Sequence, residues 1–217
     1  NNAYVRIGKK NYKMISIIDY GLGNLKAFIN IYKRLNIEAE LVTTKDQLVK
    51  AEKIILPGVG SFDQAMNKLS NSVFYDLFNE MVLEKEVPVL GICVGMQMLA
   101  KSSEEGKKKG LNLIDGEVKL LNVSKIKHVT KLPHMGWNNI EITQNNPLFI
   151  DLEKNPLFYF LHSYYFVANE KKNIISEVNY GEKFTCAVNH KNIYGVQFHP
   201  EKSHDNGIKL LKNFSSI

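Results

Sequence analysis

The clearest chemical capacity in this chain lies in Val87-Pro-Val-Leu-Gly-Ile-Cys-Val-Gly-Met-Gln97. The stretch begins as a short apolar run that reads as a buried strand, and Met96, Leu99 and Ala100 suit a following helix. Between them stands Gly91-Ile-Cys-Val-Gly95, a cysteine framed by glycines. That is the composition of a nucleophile elbow, a turn so tight that larger neighbours collide. The helix start would offer unpaired N–H groups and a positive dipole end to a thiolate. A free cysteine in a strand is more often buried and inert; the glycine frame is what favours a nucleophile here.

A nucleophile needs a base, and the base needs a group that orients it. Gly195-Val-Gln-Phe-His-Pro-Glu201 contains both. Tyr194, Val196 and Phe198 alternate as a strand, with His199 and Glu201 two apart at its end, able to point the same way. Pro200 between them fixes one dihedral angle. Any one of the six histidines taken alone reads as a surface turn residue. The glycine loop Pro57-Gly-Val-Gly-Ser61 also ends an apolar strand, and Gly58 and Gly60 allow backbone to approach a ligand. An oxyanion hole needs two aligned N–H donors. The Val94 N–H and the Gly58–Val59–Gly60 backbone are assigned to it; otherwise the loop is a plain turn before a helix.

Cys93 with His199 and Glu201 in these settings resembles the triad of the class I glutamine amidotransferases. Ile18-Asp-Tyr-Gly-Leu-Gly-Asn-Leu25, Leu56-Pro-Gly-Val-Gly-Ser-Phe62, Pro133-His-Met-Gly-Trp-Asn138 and His162-Ser-Tyr-Tyr165 narrow the resemblance to the family of glutaminase subunits of imidazole glycerol phosphate synthase. It runs from Met14 almost to the C-terminus. Val94 departs from the more usual leucine, at a position where only the backbone N–H matters. The resemblance implies glutamine hydrolysis to glutamate and ammonia, and contacts to glutamine from Gln97, Ser163 and Tyr164. It further implies a heterodimer with a (β/α)8-barrel cyclase that receives the ammonia, docked near Pro133, His134, Met135, Gly136, Trp137 and Asn138. Lys202, just after Glu201, is positioned to meet an acidic partner residue. Trp137 also fits a half-buried core, and Gln97 an exposed helix position.

The elements that must carry these residues alternate. Strands are expected at 14–19, 38–43 and 53–56 and at the Cys93 segment. Helices are expected from Asn24, as a cap, to Leu35, and at 46–51, 62–68 and 74–85. Such alternation predicts an α/β fold with a mostly parallel central sheet and flanking helices, its sites beyond the carboxyl ends of the strands. The glycines of Tyr20-Gly-Leu-Gly23 lack the third glycine of a dinucleotide fingerprint and read as a tight turn. After Gly106, short strands at 117–121, 137–142, 157–161, 174–178, 184–188 and 193–198 predict an antiparallel C-terminal portion, closed by a helix over 204–215. This is the class I glutamine amidotransferase, flavodoxin-like fold that the resemblance implies. Residues 1–13 precede it and read as a cloning remainder or an extension, leaving 14–217 as one domain.

The chain has 217 residues with 44% hydrophobic content, ample for one α/β core. No apolar run reaches the ~20 residues of a membrane span, and no signal peptide is visible. The two cysteines, Cys93 and Cys186, do not suggest a disulfide framework, and a needed thiol favours the cytoplasm. Net charge is +6, carried by dispersed lysines without a nucleic-acid-binding motif; Lys107-Lys-Lys109 reads as a solvated loop. His128, His134, His162 and His190 lack metal-ligand spacing, and no cofactor or metal is implied. The alternatives are a paralogous amidotransferase feeding a sugar-nucleotide or other acceptor, a stand-alone thiol hydrolase, and a non-catalytic regulatory module. An intact triad disfavours the last.

Overall fold

The computed structural model of the protein describes residues 13–127 and 131–217. Residues 1–12, most of the segment expected to precede the domain, and His128 lie outside the described residues. In chain order the elements are β1 (Ile15–Ile18), α1 (Leu25–Arg34), β2 (Ala39–Val42), α2 (Lys45–Leu48), β3 (Lys53–Gly58), α3 (Phe62–Ser70), α4 (Tyr75–Leu83), β4 (Val89–Cys93), α5 (Val94–Gln97), β5 (Ser102–Ser103), β6 (Gly116–Leu120), β7 (His134–Ile142), β8 (Leu157–His162), β9 (Tyr164–Ala168), β10 (Ile174–Tyr180), β11 (Glu182–His190), β12 (Ile193–Val196) and α6 (His204–Phe214).

Among the described residues, nine strands form one sheet in the order β2-β1-β3-β4-β12-β11-β10-β7-β8. The ladders are parallel from β2 to β12 and antiparallel from β12 to β8. Every residue of β1, β3, β4 and β12 is buried, as parallel strands covered on both faces must be. The helices supply that cover through apolar stripes, such as Phe28, Ile31 and Tyr32 on α1.

Helix starts differ from the sequence expectation where side-chain chemistry decides them. Asn24 occupies the N-cap position of α1, but its side chain caps nothing. Thr44 instead builds a reciprocal capping box with Gln47, so α2 starts before Asp46. Most of the antiparallel portion continues the large sheet, and β5-β6-β9 form a second one. Its strand β9 follows β8 after Ser163 alone, so the aromatic run around it gives no visible break between two strands.

The far edge of the large sheet folds back on the chain that follows β12. The His199 N–H donates to the Tyr159 carbonyl at 2.9 Å, and the Tyr159 N–H donates to Ser203 Oγ at 3.0 Å. Edge strand β8 is therefore occupied by the segment that carries His199, rather than left as an open template. No helix among the described residues is long and apolar enough to cross a membrane.

A contact too tight for any side chain joins β3 to the turn after β4. A Cβ on Gly95 would lie 2.0 Å from the Leu56 carbonyl oxygen, and one on Gly58 would lie 2.3 Å from the Gly95 nitrogen. Both obstacles are backbone, so neither can swing aside. Gly95→Ala should lower stability by about 3 kcal/mol or more, as overpacking at a fixed backbone does. Denaturant unfolding checks this; an unchanged midpoint would mean that β3 and the turn separate freely.

Candidate active site

Cys93 is the last residue of β4 and pairs with Gly58 of β3. Its φ of 54° and ψ of −113° put a side-chain-bearing residue in left-handed backbone space, a strain of order 1–3 kcal/mol that dense surroundings must hold. The strand-to-helix elbow expected from the glycine frame is thus present. The helix after it is shorter than expected. α5 has four residues because the carbonyls of Met98, Leu99 and Ala100 accept from Leu111, Leu113 and Asn112 instead of continuing the helix. Its dipole is correspondingly small.

The Cys93 Sγ lies 3.8 Å from the Leu161 carbonyl oxygen and 3.8 Å from Gln197 Nε2. His199 approaches it after β12, which ends at Val196 rather than at Phe198. A single 3-10 turn, Pro200–Lys202, then brings Glu201 beneath the imidazole, and His199 Nδ1 meets Glu201 Oε1 at 2.8 Å. The turn, not strand alternation, makes these two side chains converge. Both are buried. Burial acts to lower the pKa of His199, but the hydrogen bonds to Cys93 and Glu201 outweigh it and push the imidazole up to about 10. Ser203 Oγ donates to the His199 carbonyl at 2.6 Å, so His199 is fixed through its backbone as well.

Cys93, Val94, His199, Val59, Gly60, Gln97, Ser163 and Tyr164 line one cavity of about 290 Å³. Gly58 lies against the elbow, beneath its wall, and Gly60 takes a φ of +85° that a side chain would resist. Gln97 is 3% exposed, not a surface helix residue. Its Nε2 donates to the Tyr164 carbonyl at 2.9 Å and to Gln197 Oε1 at 3.1 Å.

Two cavity-side groups escaped the sequence analysis. Gln197 is fully buried and reaches Cys93 Sγ; its place in the alternating Tyr194–Phe198 run disguised it as strand filler. Glu105 lines the cavity, and its Oε2 accepts from the Phe62 N–H at 2.7 Å. It sits in a loop with no periodicity to mark it. Beside it, the exposed Lys107 and Lys108 donate their backbone N–H groups to Asp63, which ties this loop to α3.

The run 133–138 divides rather than forming one surface. Strand alternation turns Met135 and Trp137 outward, 64% and 43% exposed, and they pair across to Leu161 and Tyr159 of β8. Trp137 stacks on His204 with centroids 5.0 Å apart, and the exposed Lys202 holds its Nζ 5.7 Å from the Tyr159 ring centre. His134, expected on the partner-facing surface, is instead 3% exposed, and Asn138 turns inward beside it. Pro133 lines the cavity, and Gly136 has open space where a Cβ would be. Among the described residues no group of three or more His, Cys, Asp or Glu side chains could hold a metal ion.

A profile of the family described as Glutamine amidotransferase class-I matches residues 16–216. The imidazole glycerol phosphate synthase subunit HisH of Leptospira borgpetersenii is 54% identical over 204 residues, covering 94% of this chain and 100% of that protein. Its counterpart from Bdellovibrio bacteriovorus is 51% identical over 205 residues, again 94% of this chain and all of the relative. The fold is shared with PurLQS from Thermotoga maritima, at TM-score 0.70 and 19% identity over 94% of this chain and 97% of that one. A β3–elbow–cavity arrangement in such a fold, with this similarity along nearly the whole length, means that the chain belongs to the class-I glutamine amidotransferases and, within them, to the HisH subunits of imidazole glycerol phosphate synthase.

Proposed function

We propose that this glutamine amidotransferase hydrolyses glutamine through Cys93, His199 and Glu201 and delivers the ammonia to a (β/α)8-barrel cyclase making imidazole glycerol phosphate in histidine biosynthesis. The observation that carries the reading is Cys93, held at a strained elbow beside the buried His199–Glu201 pair in the same cavity as Gln97, Ser163 and Tyr164.

Cys93 sulfur attacks the amide carbon of glutamine, and the thiol proton passes to His199. His199 returns a proton to the departing nitrogen, which leaves as ammonia. Water then attacks the thioester, with His199 taking its proton, and glutamate and free Cys93 result. Glu201 keeps the imidazole oriented and stabilises its cation. Val94 N–H and the Gly58–Val59–Gly60 backbone receive the developing oxyanion. The Ser163–Tyr164 backbone takes the substrate α-carboxylate, and the Glu105 carboxylate in the cavity wall suits the α-ammonium group. Gln97 acts through the Tyr164 carbonyl that it holds.

Ammonia protonates readily in water, so delivery calls for a docked heterodimer partner. The exposed Met135–Trp137 face adjoins the cavity through Leu161, whose carbonyl lies beside Cys93. An apolar centre with aromatic anchors suits a protein interface, and Lys202 at its margin suits an acidic partner residue. The HisH names of relatives that match along nearly the whole chain favour the imidazole glycerol phosphate pathway over a sugar-nucleotide acceptor. A required free thiol fits the reducing cytoplasm.

Cys93→Ala should abolish glutamine hydrolysis in the complex while ammonia-driven synthesis by the partner continues. Loss of both in a complex that still assembles would contradict this division of labour. Glu201→Gln should lower kcat by ~10²–10⁴-fold. With the carboxylate charge gone, His199 loses a group that holds its pKa up, so its ionisation in the kcat/KM profile should move to lower pH by roughly one unit or more. A shift in the opposite direction counts against the assigned pairing. Trp137→Ala should weaken association with the cyclase and its stimulation of turnover, leaving Cys93 alkylation by iodoacetamide intact; calorimetry and steady-state rates check both.

A further inference from the structure

From the cavity wall, which His162 lines, a chain of hydrogen bonds joins the turn between β8 and β9 to strand β7. His162 Nδ1 lies 2.8 Å from the Tyr164 carbonyl oxygen, His162 Nε2 lies 2.9 Å from His134 Nδ1, and His134 Nε2 lies 3.3 Å from Asn138 Nδ2. Both imidazoles are buried.

The direction of every proton in this chain follows from its ends. A carbonyl only accepts, so His162 Nδ1 carries the hydrogen. Burial first, and then the neighbouring His134, lower the His162 pKa to about 3, so the ring is neutral and its Nε2 is a bare acceptor. His134 Nδ1 must then be the donor to it. His134 Nε2 is left as the acceptor for the Asn138 amide, whose Nδ2 also donates to the Asn179 carbonyl at 2.9 Å. Each histidine is thereby locked in its Nδ1–H tautomer.

The end of the chain matters because the Tyr164 carbonyl is shared. It accepts from His162 on one side and from Gln97 Nε2 on the other, and Gln97 continues through Gln197 to Cys93 Sγ. The carbonyl so gripped is that of Tyr164, which lines the cavity next to Ser163. The start of the chain matters too. His134 and Asn138 alternate with Met135 and Trp137, so the outer face of β7 and the inner bonds move as one strand.

We infer that His134 and His162 are positioning residues for substrate: their tautomer-locked hydrogen bonds hold the glutamine-binding turn in register with strand β7. Neither ring is required to exchange a proton with glutamine. The inference rests on the glutamine-hydrolysing function proposed above and adds how its binding wall is set.

The ring of His134 is also packed between Phe160, at 4.7 Å, and Tyr180, at 4.1 Å, both stacked at 24°. Polar positioning and aromatic packing therefore make opposite forecasts for two substitutions. His134→Phe keeps a stacked ring and removes the donor to His162. His134→Asn removes the ring and keeps an amide donor near the Nδ1 position. In the complete complex with the cyclase, H134F should raise KM for glutamine about tenfold, the scale of one lost positioning hydrogen bond, with kcat little changed. H134N should recover most of that loss, and Cys93 alkylation by iodoacetamide should be the same in both.

An unchanged KM in H134F, or H134N faring worse than H134F, overturns the proposal and leaves His134 a packing residue. Should H134F fail to fold, Asn138→Leu tests the chain from its far end. It removes the donor to His134 Nε2 and so releases the tautomer lock; an unchanged KM there is equally decisive against the proposal. Failure of the underlying function is separately visible, as glutamine hydrolysis that persists in Cys93→Ala.

Discussion

The structure depends on how closely the backbone of β3 lies against the turn after β4. Gly95 and Gly58 leave no space for a Cβ between them and the opposing chain. This contact does two things at once. It presses the elbow into the sheet so that Cys93 is held in left-handed backbone space. It also sets the Gly58–Gly60 loop beside Val94, at the wall of the cavity that Cys93 shares. A looser junction would relax the elbow and separate the two backbone segments to which the oxyanion hole is assigned in the proposed function.

The second constraint is the curl of the antiparallel half. Strand order alone puts β8 at the edge, far along the sheet from β4. The bonds of Tyr159 to His199 and Ser203 bring that edge back onto the chain after β12, and the Leu161 carbonyl reaches Cys93. The same strand thus contributes to the cavity at one end and carries apolar residues on its outer face. The exposed apolar surface proposed for docking and the wall of the cavity are here two faces of one antiparallel pair, β7–β8. A displacement of that pair by a docked partner would reach the cavity directly, since the two share one backbone.

Buried polar groups around the cavity are arranged by the same logic. Gln97, Gln197, His134 and His162 are all withdrawn from water. Each has a hydrogen-bonding partner, which offsets the cost of burial and makes the positions mutually dependent. The His199–Glu201 pair differs in that Glu201 Oε2 has no hydrogen-bond partner among the described residues. Its carboxylate meets the imidazole through one oxygen, and the hydrogen bonds to Cys93 and Glu201 outweigh burial in raising the His199 pKa above its ordinary value.

The sequence by itself determined what depends on local chemistry. Glycines around Cys93 required a tight turn, a Pro between His199 and Glu201 stiffened their approach, and apolar runs flanked by helical patterns required a parallel sheet. The motifs extended that reading to a family and to Gln97, Ser163 and Tyr164. What the tertiary structure decided were matters of distance between segments remote in the chain. Gln197 reaches Cys93, and Glu105 the cavity, because the chain after β12 and the loop after β5 return to them, and neither position carries a local signal. His134 is buried although its neighbours Met135 and Trp137 are exposed, because the phase of a strand relative to the core is set by its partners across the sheet. The short α5 ends where carbonyls are claimed by residues more than ten positions later. Pattern along a chain encodes which side chains can act; only packing between distant backbone segments decides which of them meet.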